Sequence, residues 1–259
     1  MTAPRVRPAD GLAQSATLAW RSLVQIRHSP TELIDFSLQP IMFLLLFTYV
    51  FGGAIAGSPG EYLTFALPGI IVQNALFATM NTGLGLSTDL TKGVFDRLRS
   101  LPIARWAPLA GRIGADLAKQ AWSVALLLGL GTLMGFRVGT DPLSVLAMVA
   151  LLLVFALAVS WMAVLVGVLV DEPEKVMMFG FIVLFPLTFV SNAFVHQDSM
   201  PGWMASIVAV NPVSQVADAC RGLLTGGPVA GPALLSLLWA GAIMAIFAPL
   251  SIRAFKRRL

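Results

Sequence analysis

Apolar residues in this chain neither alternate with polar ones nor recur at helical spacing; they run on for long stretches and then stop at polar clusters. A helix that crosses a hydrocarbon layer about 30 Å thick needs roughly 20 apolar residues. Six runs meet that need, at 34–51, 65–86, 120–136, 142–170, 176–195 and 232–252. The fourth, at about 1.5 Å per residue, exceeds the bilayer thickness and is expected to tilt or project. The pattern predicts an all-α polytopic membrane protein of six spans, one domain over 1–259, with a cytoplasmic segment 1–29 ahead of a bundle 30–259. Helix starts fall where the polar clusters put them. Ser29-Pro30-Thr31-Glu32 reads as a capping box with proline at the first helical position, and Asp141-Pro142 and Asp171-Glu172-Pro173-Glu174 repeat the device. Pro40 and Pro186, inside the first and fifth runs, predict kinks.

Three stretches have helical periodicity without the length to span. Over 12–27, Leu12, Ala16, Ala19, Trp20, Leu23 and Val24 form one stripe with Arg21 and Arg27 off it, an amphipathic helix suited to the headgroup level or to a cytoplasmic partner. Between runs two and three, Val94, Phe95, Leu98 and Leu101 recur on one face, Asp96, Arg97 and Arg99 lie off it, Gly93 permits a turn before it and Pro102 ends it. Such a short helix either lies on lipid or seats in a groove of a soluble partner. From 196 to 231, two short helical stretches flank Asn211-Pro212, and Gly226-Gly227-Pro228 closes the segment. Neither stretch spans, so the segment reads as a pair of re-entrant helices, a lid on an exit route or a loop packed on the span ends.

Composition agrees with a lipid environment: 57% of residues are hydrophobic and 12% charged, where a soluble domain carries roughly a quarter charged, and mean hydropathy is +0.83. The net charge of +4 is accounted for by orientation signals rather than by nucleic acid. With both termini inside, the basic residues over 5–27, 92–119 and 253–258, with Lys175, are cytoplasmic, and only Arg137 and Arg221 lie outside. The first 27 residues lack the apolar core of a cleavable signal peptide. A lone cysteine, Cys220, excludes an intrachain disulfide and a cysteine-built metal site.

Missing chemistry narrows the function. No span carries an ionisable residue in its interior, which disfavours proton- or ion-coupled carriers. No lysine is preceded by glycine, so there is no P-loop and no ATP site of that kind. His28 and His196 fall on opposite sides of the membrane and cannot share a metal. Asp171, Glu172 and Glu174 cap a helix or hold a divalent cation with a phosphorylated substrate. Uncharged polar residues in the spans (Gln73, Asn74, Thr79, Asn81 and Thr82, then Ser160, then Thr188, Ser191 and Asn192) serve as interhelical glue or line a path. For a path, Gln73, Asn74, Asn81, Thr188 and Asn192 on the second and fifth runs are the candidates.

The run Gly93, Asp96-Arg97-Leu98-Arg99-Ser100-Leu101-Pro102, Arg105 and Gly111-Arg112 resembles the cytoplasmic loop of type-2 ABC exporter permeases, closest to their daunorubicin-resistance-like branch. Ser191-Asn192-Ala193-Phe194, Met200-Pro201-Gly202-Trp203, Asn211-Pro212-Val213 and Arg221-Gly222-Leu223 resemble the same family's outer motifs, in the same order. Asp89 and Val94 stand where the broader family often has Glu and Thr, which agrees better with that branch. The resemblance implies a permease of the bacterial plasma membrane that exports a hydrophobic or amphiphilic substrate such as a drug, lipid or glycolipid. ATP and Mg would bind a separate ATPase subunit, with no cofactor or catalytic residue in this chain. It further implies two permease protomers with two ATPases, and an N-terminal connecting helix. It implies a coupling helix over Gly93, Val94, Phe95, Asp96, Arg97, Leu98, Arg99, Leu101 and Pro102, with Leu98 and Leu101 as the apolar plug. An outer gate would comprise Trp203, Asn211, Pro212 and Arg221. A membrane enzyme using the Asp171–Glu174 cluster and an ATP-independent carrier are the rival classes.

Overall fold

Each apolar run becomes a helix. The computed structural model describes residues 30–93 and 107–258; the predicted connecting helix at 12–27 and the coupling segment from Val94 through Pro102 lie outside the described residues. Helix α1 (Pro30–Leu46) passes through a π-helical turn (Phe47–Phe51) into the short α2 (Gly52–Ala56). It is followed by α3 (Pro59–Thr91), α4 (Ala107–Leu133), α5 (Pro142–Leu169) and α6 (Pro173–Phe189). After a 3-10 turn (Gln197–Ser199) come α7 (Gly202–Val210), α8 (Pro212–Thr225) and α9 (Ala230–Arg258).

Local chemistry sets these limits. Gly57, at φ 77°, ends α2 in the left-handed region. Ser58 then caps α3, its Oγ accepting from the Glu61 N–H at 3.3 Å, with Pro59 in the first helical position. Gly93, at φ 66°, closes α3 at its other end, as the sequence anticipates. Pro142 and Pro173 open α5 and α6 as expected, but the acidic residues before them do not cap. Asp141 accepts from the Ser144 hydroxyl at 2.6 Å, and Glu172 pairs with Lys175 at 3.3 Å. Asp171 accepts from Arg258 at 3.0 Å, and Arg258 also donates to the carbonyls of Val168 and Val170, fixing the end of α9 on the end of α5.

The fifth run differs from its expected extent. It was expected to be helical to Val195, but α6 stops at Phe189. Pro186 lacks the N–H that the preceding turn requires. Beyond it, Ser191 and Asn192 offer side chains that compete for backbone groups, and Ser191 Oγ donates to the Thr188 carbonyl.

Among the described residues, four helical stretches are long and apolar enough to cross a membrane: Ser37–Ala56, Pro59–Thr91, Pro142–Leu169 and Ala230–Phe255. Helix α4, which carries the third run, has Asp116 and Lys119 in the turn ahead of that run. The fifth, at 17 residues, reaches about 25 Å.

Helix α3 is the spine of the bundle. Leu63, Leu67, Ile71 and Leu76 are fully buried along it against Leu127 of α4, Leu152 and Phe155 of α5, and Val216 of α8. Small residues let backbones approach. A Cβ on Gly83 would lie 2.4 Å from the Ala163 carbonyl oxygen, and one on Gly167 would lie 2.4 Å from that of Gly83. By contrast α6 and α9 turn Met178, Phe181, Ile182, Leu234, Leu238 and Trp239 outward, an apolar surface of the kind that lipid covers.

A polar lock beneath the outer hairpin as the candidate functional site

The segment after α6 returns to the bundle and there assembles the densest polar cluster among the described residues. Asn192 Nδ2 donates to both carboxylate oxygens of Asp218, at 2.9 and 2.8 Å, and the Asn192 N–H reaches Ser214 Oγ at 3.3 Å. Arg221, one turn along α8 from Asp218, spreads its guanidinium over three acceptors. Nη1 donates to Asp218 at 2.5 Å, Nη2 to the Asn192 carbonyl at 3.1 Å and Nε to the Phe65 carbonyl at 3.2 Å. One arginine thus joins α8, the turn after α6 and the spine helix α3. Burial pulls the guanidinium below its usual value while Asp218 pulls it back up.

The Phe65 ring carries Arg221 at 4.2 Å and stacks on the His196 imidazole at 3.6 Å, so cation and imidazole take opposite faces. Beneath, Gly69 of α3 lets the Ala193 backbone sit where a Cβ would be 2.2 Å from its carbonyl oxygen. Beside the lock a cavity of about 430 Å³ opens, lined by Ile55, Glu61, Thr64, Phe65, His196, Arg221 and neighbouring residues.

Asn211 fastens the other end of the hairpin. Its Nδ2 donates to the carbonyls of Leu187, at 2.8 Å, and Val190, while its Oδ1 accepts from the Val213 N–H at 2.8 Å. One side chain therefore ends α6 and caps α8, and Pro212 takes the first helical position. Of the predicted outer residues, Arg221 and Asn211 hold the hairpin to the bundle and Pro212 opens α8. Trp203 stands apart, 70% exposed on α7.

The candidate path residues have individual partners and settings. Asn74 donates to Ser123 of α4 at 2.8 Å, and Thr188 to the Leu184 carbonyl of its own helix. Gln73 is buried on α3, Asn81 is exposed, and Asn192 belongs to the lock. Sequence reasoning missed Asp218, Phe65 and Ser214. The Asp218–Arg221 spacing of three residues was visible in the sequence, but the burial that gives it weight was not.

Cys220 is wholly enclosed next to the lock, and burial pushes its thiol up to about 12, against a weaker opposing pull from the Arg221 charge. The native protein is expected to have on the order of a thousandfold less thiolate at pH 8 than an ordinary cysteine. Maleimide should therefore label it only after denaturation, as read by mass spectrometry of the intact chain. Because the folded value is raised, the thiol's contribution to stability is complete below the unfolded value near 9 and declines as pH rises toward 12.

Toward the C-terminal end of α3, Asp89 and Arg112, both part of the loop motif, form an ion pair between α3 and α4 and clasp the helices that carry the segment 94–106. Asp171 and Glu172 each have a basic partner, and no group of three or more His, Cys, Asp or Glu residues is placed to hold a metal among the described residues.

Comparison with known proteins gives this arrangement a context. The family model for the ABC-2 type transporter matches residues 13–225, from the N-terminal amphipathic stretch to the end of α8. The daunorubicin resistance ABC transporter permease protein DrrB1 of Streptomyces coeruleorubidus is 44% identical over 254 residues, covering 97% of this chain and 90% of that protein. A probable doxorubicin resistance ABC transporter permease protein, DrrC of Mycobacterium tuberculosis (strain ATCC 25618 / H37Rv), is 27% identical over 249 residues, 93% of this chain and 88% of the relative. The putative transport permease ycf38 of Cyanophora paradoxa is 26% identical over 208 residues, covering 79% and 71%.

Proposed function

The chain belongs to the ABC-2 type transporter family, and on that premise we propose that it moves an amphiphilic or hydrophobic substrate outward across a bacterial plasma membrane, driven by a separate ATPase subunit. Six helices span in this reading: α1 with α2, then α3, α4, α5, α6 and α9, with both termini cytoplasmic and α7 and α8 re-entrant on the outer side. The printed names of the relatives, daunorubicin and doxorubicin resistance permeases, support a drug-like amphiphile as cargo. Two permease protomers pair with two ATPases that carry ATP and Mg. The observation that carries the reading is the continuous family match across 13–225 in a chain without a P-loop.

ATP binding draws the ATPases together and moves the segment from Gly93 to Pro102 with them. Asp89–Arg112 clasps α3 to α4, the two helices that carry that segment in the chain, so a displacement of the segment becomes a displacement of the bundle. Two states of one bundle, each favoured by a different nucleotide condition, suffice for alternating access. The outer lock is the part that has to yield when the route opens outward, because Arg221 joins the hairpin to the spine helix.

Leu98→Asp places a charge on the apolar face of the proposed coupling helix. The expected result is loss of ATP-driven export by at least about tenfold, equivalent to roughly 1.4 kcal/mol of coupling, with membrane insertion unchanged. Export at the wild-type rate in proteoliposomes containing the complex would remove Leu98 from the coupling contact.

A further inference from the structure

A second polar face, remote from the outer lock, runs along α4. At about 100° per residue, Arg112, Asp116, Gln120 and Ser123 fall on one side of that helix. Both ends of the face are bonded to α3, Arg112 to Asp89 and Ser123 to Asn74. These two bonds set an antiparallel register that places Ala78 and Thr82 opposite the middle of the face and Gly85 beside Arg112. Gly85 agrees with it, since a Cβ there would land on the Arg112 guanidinium. Residues so short offer little to the long side chains across from them. Gln120 is 2% exposed, yet among the described residues neither its amide oxygen nor its amide nitrogen has a partner. Asp116 Oδ2, Arg112 Nε and Thr82 Oγ1 are likewise buried and unpaired among the described residues, Asp116 Oδ1 being held by Lys119 at 3.6 Å.

Buried polar atoms without partners are expensive, and an apolar side chain of the same shape would relieve the cost. An amide in that place disfavours the closed arrangement relative to one in which α3 and α4 part enough to re-pair or to admit water. The two helices concerned are the pair joined by the coupling loop.

We propose that the α3–α4 seam is the joint that opens when the coupling loop is pulled, with Asp89–Arg112 and Asn74–Ser123 as its clasps. Gln120, together with Asp116, is a positioning residue that obtains its partners only in the opened state. The inference rests on the permease reading above, and it locates the moving part within the bundle.

The test uses the permease–ATPase complex in proteoliposomes. Gln120→Leu should raise the thermal midpoint of the complex by roughly 2–4 °C. It should lower ATP-driven turnover about tenfold, leaving the half-saturating substrate concentration unchanged. A less stable variant would mean that the amide is already satisfied, and a more stable one that turns over normally would mean that the seam does not open; either overturns the proposal. As a second measurement, Asn74→Cys with Ser123→Cys should cross-link on oxidation and arrest transport, with recovery on reduction. Wild-type turnover by the cross-linked protein would overturn the proposal even if Gln120→Leu failed to accumulate. Absence of ATP-driven transport in the wild-type complex would instead remove the permease reading itself.

Discussion

Arg221→Ala is expected to unfasten the outer hairpin, lowering the stability of the purified protein and abolishing export. The substitution removes donors to Phe65, Asp218 and Asn192 at once. Asp218 is left with Asn192 alone, next to the buried Cys220. Breaking a buried ion pair by deleting one partner costs roughly 3–5 kcal/mol. The lower end applies here, since the Asp218 side chain is 36% exposed. Lysine keeps the charge but cannot reach three divergent acceptors with a planar fork. Arg221→Lys should therefore recover less than half of the lost stability in a detergent thermal-shift measurement. A double-mutant cycle with Asp218→Ala would report the pairwise coupling, and independence of the two effects would contradict the lock.

Gly83→Val is expected to have an effect at least as large through packing alone. The added atoms meet the Ala163 carbonyl oxygen, which is backbone and cannot rotate aside, and Gly167 approaches Gly83 from the same side. Helices α3 and α5 have to separate, loosening a buried seam of the bundle. Overpacking typically costs roughly 1–3 kcal/mol, occasionally more, and the rigid backbone contact with α5 puts this case at the top of that range. Glycines elsewhere in the bundle provide the contrast. At Gly180 a Cβ would strike only the flexible end of Met80, and at Gly129 it would meet nothing within 4 Å. Yield in membranes should therefore fall in the order Gly129→Ala, Gly180→Ala, Gly83→Val. Equal yields for the first and last would contradict the close approach.

The helices were legible because lipid removes the need for a polar face, so length and apolarity alone mark them. Proline gave their starts, at Pro142 and Pro173, even where the preceding acid caps nothing. The end of α6 was hidden, because Ala193, Phe194 and Val195 continue an apolar run after the backbone has left the helix. That run placed Asn192 inside a span, whereas it follows the end of α6 and its side chain binds Asp218. Arg221 was visible as one of two basic residues outside, and Asn211-Pro212 as a turn. Their joint action was not visible, since it depends on Phe65, which lies 156 positions before Arg221. The polar seam was present in the sequence as residues at 112, 116, 120 and 123, but only burial separates stranded atoms from solvated ones.

On the proposed reading this permease works through a separate ATPase seated on the segment from Gly93 to Pro102. Affinity purification of the chain from native membranes in gentle detergent, with mass spectrometry of what remains bound, should then yield a protein that carries a P-loop and is released when Leu98 and Leu101 are both changed to Asp. A chain that emerges alone in several detergents at low salt, and that still moves substrate in proteoliposomes without nucleotide, would contradict it.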